Sequence, residues 1–317
     1  MDLKQLEALV GIADHGSFSA AAAALGTVQS NVSGRIARLE TELDATLVDR
    51  SSGQLTEEGE IVVARARHVL VELESLIADI VSVRSEVAGT VRVGLIGTTG
   101  RWLIPRAFAS LRERHPRIGL RVTEGTTATL EPQLLAGQLE LAVLTTPVQA
   151  EELAVQPLFE EDLMLVVPSV HPLAERFSSD QVPLPLKELE GLEMLLPLSG
   201  TALRDEIDQA LAPAGVKLTA SIELDGLRTI ASLVIDGYGP GILPATAVPE
   251  HLRSRFQLLP LEGLPRRSVG LVGRRHGLPS APTRAVREVL FDVTRPAAGL
   301  PDGITAASAT SELDVTP

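Results

Sequence analysis

Apolar positions follow one rhythm in the first third of the chain and another in the rest. In the first 45 residues they recur at helical intervals. Leu3, Leu6, Leu9, Val10 and Ala13 form one stripe that stops at Gly16. Ser17 or Ser19 can cap a second helix through the alanine block, and Leu25-Gly26-Thr27 breaks it. A third helix is predicted from about Val28 to Leu43, with Val32, Ile36, Leu39 and Leu43 as its buried stripe. The segment "ATLVDRSSGQL" reads as a short strand, a turn at Ser51-Ser52-Gly53 and a return through Leu55.

A long helix follows. Thr56 caps it, and Glu57 and Glu58 stand in its first turn, where the amide dipoles favour acids. Val62, Ala66, Val69, Leu73, Leu76, Ile80, Val83 and Val87 alternate at spacings of four and three, an unbroken heptad seam. A rod of about 30 residues is about 45 Å long. Such a seam needs a partner helix, so a dimer strut is expected.

Beyond Gly89 the rhythm changes to alternating strands and helices. "TVRVGLIG", "IGLRVTEG" and "LELAVLTT" read as strands separated by helices; "LEMLLPL" and "LTASIEL" repeat the pattern later. This predicts mainly parallel sheets in two doubly wound subdomains. "LMLVVP" and "SVGLVG" are expected to cross between them and leave a cleft. The tail from Pro296 lacks periodicity and is expected to be disordered.

Bulk properties narrow the field. A chain of 317 residues holds two or three domains. It contains no cysteine, which excludes disulfides and thiolate metal sites. The start "MDLKQLEALV" has no basic-then-apolar leader, and no apolar run reaches the length of a membrane span, so a cytoplasmic protein without a membrane partner is expected. The net charge is -13, and residues 1–88 carry 7 basic against 14 acidic side chains. Global electrostatics therefore disfavour nucleic acid, and any DNA contact has to be a local patch.

One such patch exists. Opposite the apolar stripe, the third helix presents Thr27, Ser30, Asn31, Gly34 and Arg38, with Gln29, Ser33 and Arg35 on its flanks. Short polar side chains let a helix lie deep in a major groove. Amides and guanidinium groups bond base edges there, and hydroxyls bond phosphates. At this point "GSFSAAAAALGTVQSNVSGRIARLETEL", "LVDR" and "LTEEGE" resemble, in order and spacing, the winged helix-turn-helix and linker helix of LysR-type transcriptional regulators. "VRVGLIGTTGRWLIP", "GQLELAVL", "HPLA" and "GYGPGILP" are similar to that family's effector domain, and the resemblance covers roughly residues 1–295. It implies an α/β chain with an all-α DNA-binding domain: a winged helix-turn-helix at 1–58, a linker and dimerisation helix at 59–88, and a periplasmic-binding-protein-like effector domain at 89–295. In that domain, subdomain I takes about 89–165 and 268–295, and subdomain II about 166–267.

The resemblance further implies that Gln29, Ser30, Ser33 and Arg35 belong to a DNA-contacting surface; Thr27, Asn31, Arg38 and Arg50 complete the candidate set. The chain also departs from the family. Many members have a proline and an arginine where Ser30 and Gly34 stand. The wing is about two residues short and has no basic residue beyond Arg50. With Glu40, Glu42, Asp44 and Asp49 close by, non-specific affinity is expected to be modest and the salt slope shallow.

In folds of this type, ligands bind where strand ends and helix N-termini face a cleft. "GTTGRW" supplies Thr98, Thr99 and Arg101; "EGTTATL" supplies Thr126 and Thr127; Thr145 ends another strand; "PLSGTALR" supplies Ser199, Gly200 and Thr201 from the other subdomain. By resemblance, Thr98, Thr126 and Ser199 align with effector-contacting positions. Trp102 either flanks an effector or packs in the core.

The catalytic search is negative. Six histidines show no metal spacing, no nucleophile elbow or P-loop occurs, and "GYGPG" reads as a turn. The acids Glu151-Glu152 and Glu160-Glu161-Asp162 read as solvated loop charges. The sequence thus predicts a non-enzyme: a transcriptional regulator that binds double-stranded DNA as a homodimer or homotetramer and answers to an unidentified small-molecule co-inducer, with no other cofactor and no catalytic or metal site. The alternative is a small-molecule-binding protein whose helical N-terminus only dimerises.

Overall fold

The computed structural model describes residues 1–84, 86–176, 183–296 and 299–307. Three helices open the chain. In α1 (Leu3–His15) the Asp2 side chain accepts from the Gln5 N–H, and the Gln5 side chain accepts in turn from the Asp2 N–H. The helix ends at Gly16, whose φ of 73° suits a residue without a side chain. Ser17 caps α2 (Phe18–Ala24), and α3 (Gln29–Leu43) follows. Leu9, Ile12, Ala21, Val32, Ile36 and Leu39 form the core of the unit, together with Leu47, Val63 and Ala66. Leu43 does not join the stripe: it is the last residue of α3, next to the left-handed Asp44, and is 39% exposed.

The wing is reduced to one antiparallel bridge, Val48 to Leu55. From it rises α4 (Glu57–Arg84), whose cap Thr56 accepts from the Gly59 N–H at 3.0 Å. A side chain at Gly59 would place its Cβ 2.0 Å from the Leu47 carbonyl oxygen, so only glycine lets α4 start against the wing. The helix ends three residues before Val87, which instead packs on the effector-domain core. The heptad seam divides along its length. Ala66 is buried and Val62 half-buried, whereas Val69, Leu73, Leu76, Ile80 and Val83 are exposed. On its other side α4 is fixed to the rest of the chain. Glu74 pairs with Arg92 at 3.2 Å, Asp79 accepts from the Ala281 N–H at 2.7 Å, and His68 Nε2 meets the Leu135 carbonyl at 2.8 Å.

The effector region is built from β1 (Gly89–Ile96), α5 (Gly97–Arg114), β2 (Ile118–Gly125), α6 (Thr127–Leu135), β3 (Leu141–Thr145), β4 (Leu153–Pro168), α7 (Pro172–Arg176), β5 (Glu193–Pro197), α8 (Ala202–Leu211), β6 (Thr219–Leu224), α9 (Leu227–Ile235), β7 (Gly241–Pro244), β8 (Phe256–Pro260), β9 (Arg266–Arg274), α10 (Ala281–Val293) and β10 (Ile304–Ala306). β1 pairs in parallel with β2 on one side and β3 on the other, so the chain reverses its winding between β1 and β3. β5 and β6 form a second parallel pair.

The sheets are mixed rather than mainly parallel. β9 returns from the second subdomain and runs antiparallel to both β3 and β4. β4 crosses between the subdomains. Its first part pairs with β9, and its last residues, "LMLVVP", pair with β7 and β8. "SVGLVG" does not cross; it lies wholly within β9 in the first sheet. The tail also departs from expectation. Ile304, Thr305 and Ala306 add an antiparallel edge strand to β4, and Ile304 is buried in the main core. Leu300 packs there too. This order comes from contacts distant in sequence, which a non-periodic tail does not reveal. Residues 308–317 lie outside the described residues.

Candidate functional site

The two candidate surfaces differ in construction. On α3, Val32, Ile36 and Leu39 are fully buried and fix the helix from behind. Gln29, Ser30, Asn31 and Arg38 are exposed, and Thr27, Ser33 and Arg35 are half-buried beside them. The Asn31 amide donates to Thr27 Oγ1 at 3.0 Å, and Gln29 Oε1 accepts from Ser19 Oγ at 3.2 Å. Both side chains are thereby held upright without using all their bonding capacity. Arg35 and Arg38 form no ion pair among the described residues.

Arg50 stands apart from that face. Its guanidinium meets Glu40 at 3.3 Å, and the same carboxylate also accepts from the Leu47 and Val48 N–H groups. In the wing turn, Asp49 accepts from the Ser51 N–H and from the hydroxyls of Ser51 and Ser52. These bonds pull its carboxyl down to about 2. The wing therefore presents a fixed negative charge, which repels a phosphate.

The second surface gathers at the carboxyl ends of β1, β2 and β3, where the winding reverses. Thr98 and Thr99 follow β1 inside the first turn of α5; both are buried, and Thr99 Oγ1 has no hydrogen-bond partner among the described residues. Thr127 donates to the Thr145 carbonyl at 3.3 Å, which joins the ends of β2 and β3. Thr126 is diverted: its hydroxyl accepts from the Thr129 N–H and caps α6.

The centre of this group is a residue the sequence did not single out. Arg267 donates to Thr145 Oγ1 at 2.9 Å and lies 3.5 Å from Glu161 and 3.7 Å from Glu206. Glu206 belongs to α8, so this guanidinium links the strand ends of one subdomain to a helix of the other. Glu161 corrects the reading of 160–162 as solvated loop charges. It is fully buried within β4 and accepts from both the N–H and the hydroxyl of Thr246. Burial pushes its carboxyl up, opposed by Arg267 and the two Thr246 bonds; burial likewise raises Glu206. The Arg267 Nε is buried without a hydrogen-bond partner among the described residues. The local signal was the two-residue alternation Phe159, Glu161, Leu163, which puts the acid on the inward face of a strand.

The other candidates lie elsewhere. Ser199 and Gly200 are exposed ahead of α8, and Ser199 donates to Glu223 at 2.9 Å. Thr201 donates back to the Leu198 carbonyl and leaves the first N–H groups of α8 uncapped by a side chain. Arg101 turns toward the second subdomain and donates to the Ala247 carbonyl at 3.3 Å. Trp102 packs in the core, edge-on to Phe159 with ring centroids 5.4 Å apart.

An N-terminal helix-turn-helix with one outward polar helix, a long apolar-edged rod, and a two-lobed α/β unit with a polar group at its winding reversal together define an effector-controlled, DNA-binding regulator. Residues 3–60 match the family "Bacterial regulatory helix-turn-helix protein, lysR family", and residues 84–295 match "LysR substrate binding domain". The chain belongs to the LysR family of transcriptional regulators. It is 33% identical over 300 residues to the DNA-binding transcriptional dual regulator OxyR of Escherichia coli K12, covering 93% of this chain and 95% of that protein. It is 35% identical over 262 residues to a probable hydrogen peroxide-inducible genes activator of Streptomyces viridosporus, covering 81% and 82%. Among solved structures, a full-length cysteine variant of OxyR from Pseudomonas aeruginosa superposes with a TM-score of 0.75 at 27% identity, over 96% of this chain and 98% of that one. Full-length CbnR bound to its target DNA shares the fold, with a TM-score of 0.63 at 19% identity over 92% and 99%.

Proposed function

We propose that this regulator reads duplex DNA through Thr27, Gln29, Ser30, Asn31, Ser33, Arg35 and Arg38, and answers to a small molecule held by Thr98, Thr99, Thr127, Thr145 and Arg267 at the strand ends. Thr126 is spent on capping α6, Ser199, Gly200 and Thr201 lie ahead of α8 outside this group, and Arg50 stands apart from the DNA face. The observation that carries the DNA reading is α3 itself: three fully buried aliphatic side chains hold an exposed polar face with two arginines that form no ion pair among the described residues. The regulator works in the cytoplasm and catalyses no reaction.

Its signal differs from thiol oxidation. The relatives are named for hydrogen peroxide-inducible genes, and this chain has no cysteine. No sulfenic acid or disulfide can form on it. The switch is instead a ligand-dependent change in the Arg267–Glu206 contact between the subdomains, transmitted through α4 to the paired DNA-binding units.

A gel shift on DNA upstream of the chain's own gene tests the first part. Arg35→Ala and Arg38→Ala should each weaken binding by about 5- to 150-fold and leave the oligomer intact, since a good base contact is worth about 1–3 kcal/mol. Parent-like binding by both variants would reject the assignment of α3.

A further inference from the structure

A cavity of about 420 Å³ opens between α5, α9 and the turn Glu250–Arg255. It takes a wall from each subdomain. Arg101 projects from α5, Ile235 and Asp236 come from the end of α9, and His251, Leu252 and Arg255 come from the turn. It is separate from the strand-end cleft, whose guanidinium is that of Arg267.

Two arginines and a histidine line this cavity together with one carboxylate, Asp236, which Arg255 engages at 3.2 Å. Arg101 has no ion pair among the described residues; its bond goes to the neutral Ala247 carbonyl. Burial, and then the charge of Arg228, draw its guanidinium below the usual range. The charge of an arriving anion offsets both costs. The chain as a whole carries a charge of -13, so this basin reverses the prevailing sign. Beside the cations, Ile235 is buried and Leu252 half-buried, which gives the cavity an apolar floor. The volume suits a small ligand.

We propose that this cavity is a second ligand site, distinct in its lining from the strand-end cleft, for a small organic carboxylate. Its carboxylate sits among Arg101, His251 and Arg255, and its apolar body lies on Ile235 and Leu252. The occupant touches both subdomains and therefore stabilises one angle between them. Arg101 shares the first turns of α5 with Thr98 and Thr99, so the two sites are coupled, and the coupling is mutual.

Titration calorimetry and saturation-transfer NMR on the full chain, with butyrate, 1-butanol and inorganic phosphate as probes, test this. Butyrate should bind saturably and 1-butanol should not. Arg101→Gln and Arg255→Gln should each weaken butyrate at least tenfold, and Leu252→Trp, which fills the cavity without removing a charge, should do the same. Thr145→Val, in the other cleft, should leave it within twofold. Thermal melts and circular dichroism confirm that each variant is folded; Arg255 and Leu252 keep the test valid if Arg101→Gln is not. Absence of butyrate binding overturns the proposal. So does binding that survives all the cavity variants or is lost with Thr145→Val, which would place the ligand at the strand ends. Phosphate binding as tight as butyrate would reduce the cavity to a bare anion site and overturn the carboxylate assignment.

Discussion

Two residues show how local physics sets the molecule's tolerances. Arg267 is flanked by two carboxylates, one fully buried. Arg267→Gln strands Glu161 without its cation, and breaking a buried pair from one side costs about 3 kcal/mol or more. Thermal or urea unfolding should show this loss, while Glu161→Gln should cost less. The pH dependence has a definite sign. Because the folded pKa of Glu161 is raised above its ordinary 4.5, the folded state holds that proton more tightly than the unfolded one. Its contribution is therefore fully present below about pH 4.5 and lost as the pH rises through the folded value. Glu161→Gln should accordingly flatten the decline in stability above pH 4.5; an unchanged slope would count against Glu161 as its source. At Gly59, the closeness of the Leu47 carbonyl predicts that Gly59→Ala destabilises the N-terminal unit by about 2–3 kcal/mol. Amide exchange in α1 and α3 should register the change.

At the level of the element, helices with one wet side were legible and partner-dependent features were not. The four-and-three spacing in α3 and α4 follows directly from which side chains must leave water. Leu43 fails the pattern because periodicity says nothing about where the helix itself ends. Glu161 was misread as solvated and Arg267 passed over because an acid's burial depends on a strand and an arginine more than a hundred positions away. The short β10 escaped for the same reason: three residues carry no period. Among the effector candidates, Thr98, Thr127 and Thr145 meet at one sheet edge because parallel strands end together, whereas Thr126 was consumed as a helix cap. The apolar side of α4 carries its own prediction. Leu73, Leu76 and Ile80 are exposed in the single chain. Burying one leucine contributes about 1.5–3 kcal/mol. Leu76→Glu should therefore raise the dimer dissociation constant at least tenfold in sedimentation analysis, with little effect on the fold of either end.

For the whole molecule, charge and chemistry set the working conditions. The acidic wing and the Arg50–Glu40 pair reduce the number of phosphates the protein neutralises. The slope of log affinity against log salt should be shallow, on the order of two to four per DNA-binding unit. A slope twice that would mean basic contacts outside α3. Treatment with hydrogen peroxide at concentrations that oxidise thiols should leave the gel shift unchanged, since the chain offers no thiol to react. A peroxide-dependent shift that appears at once and reverses with dithiothreitol would contradict the thiol-free switch.

The unbroken rod α4 has one more consequence. Its 28 residues span about 42 Å, and the ion pairs Arg92–Glu74 and Arg284–Asp79 pin one flank of it to the first effector lobe while its first turn is wedged against the wing. It thus can act as a lever arm: a tilt of about 10° about the outermost pin, Asp79, sweeps the far tip, about 33 Å away, through about 6 Å. That is roughly two base-pair rises along a duplex, enough to bring a reading head from one register into another.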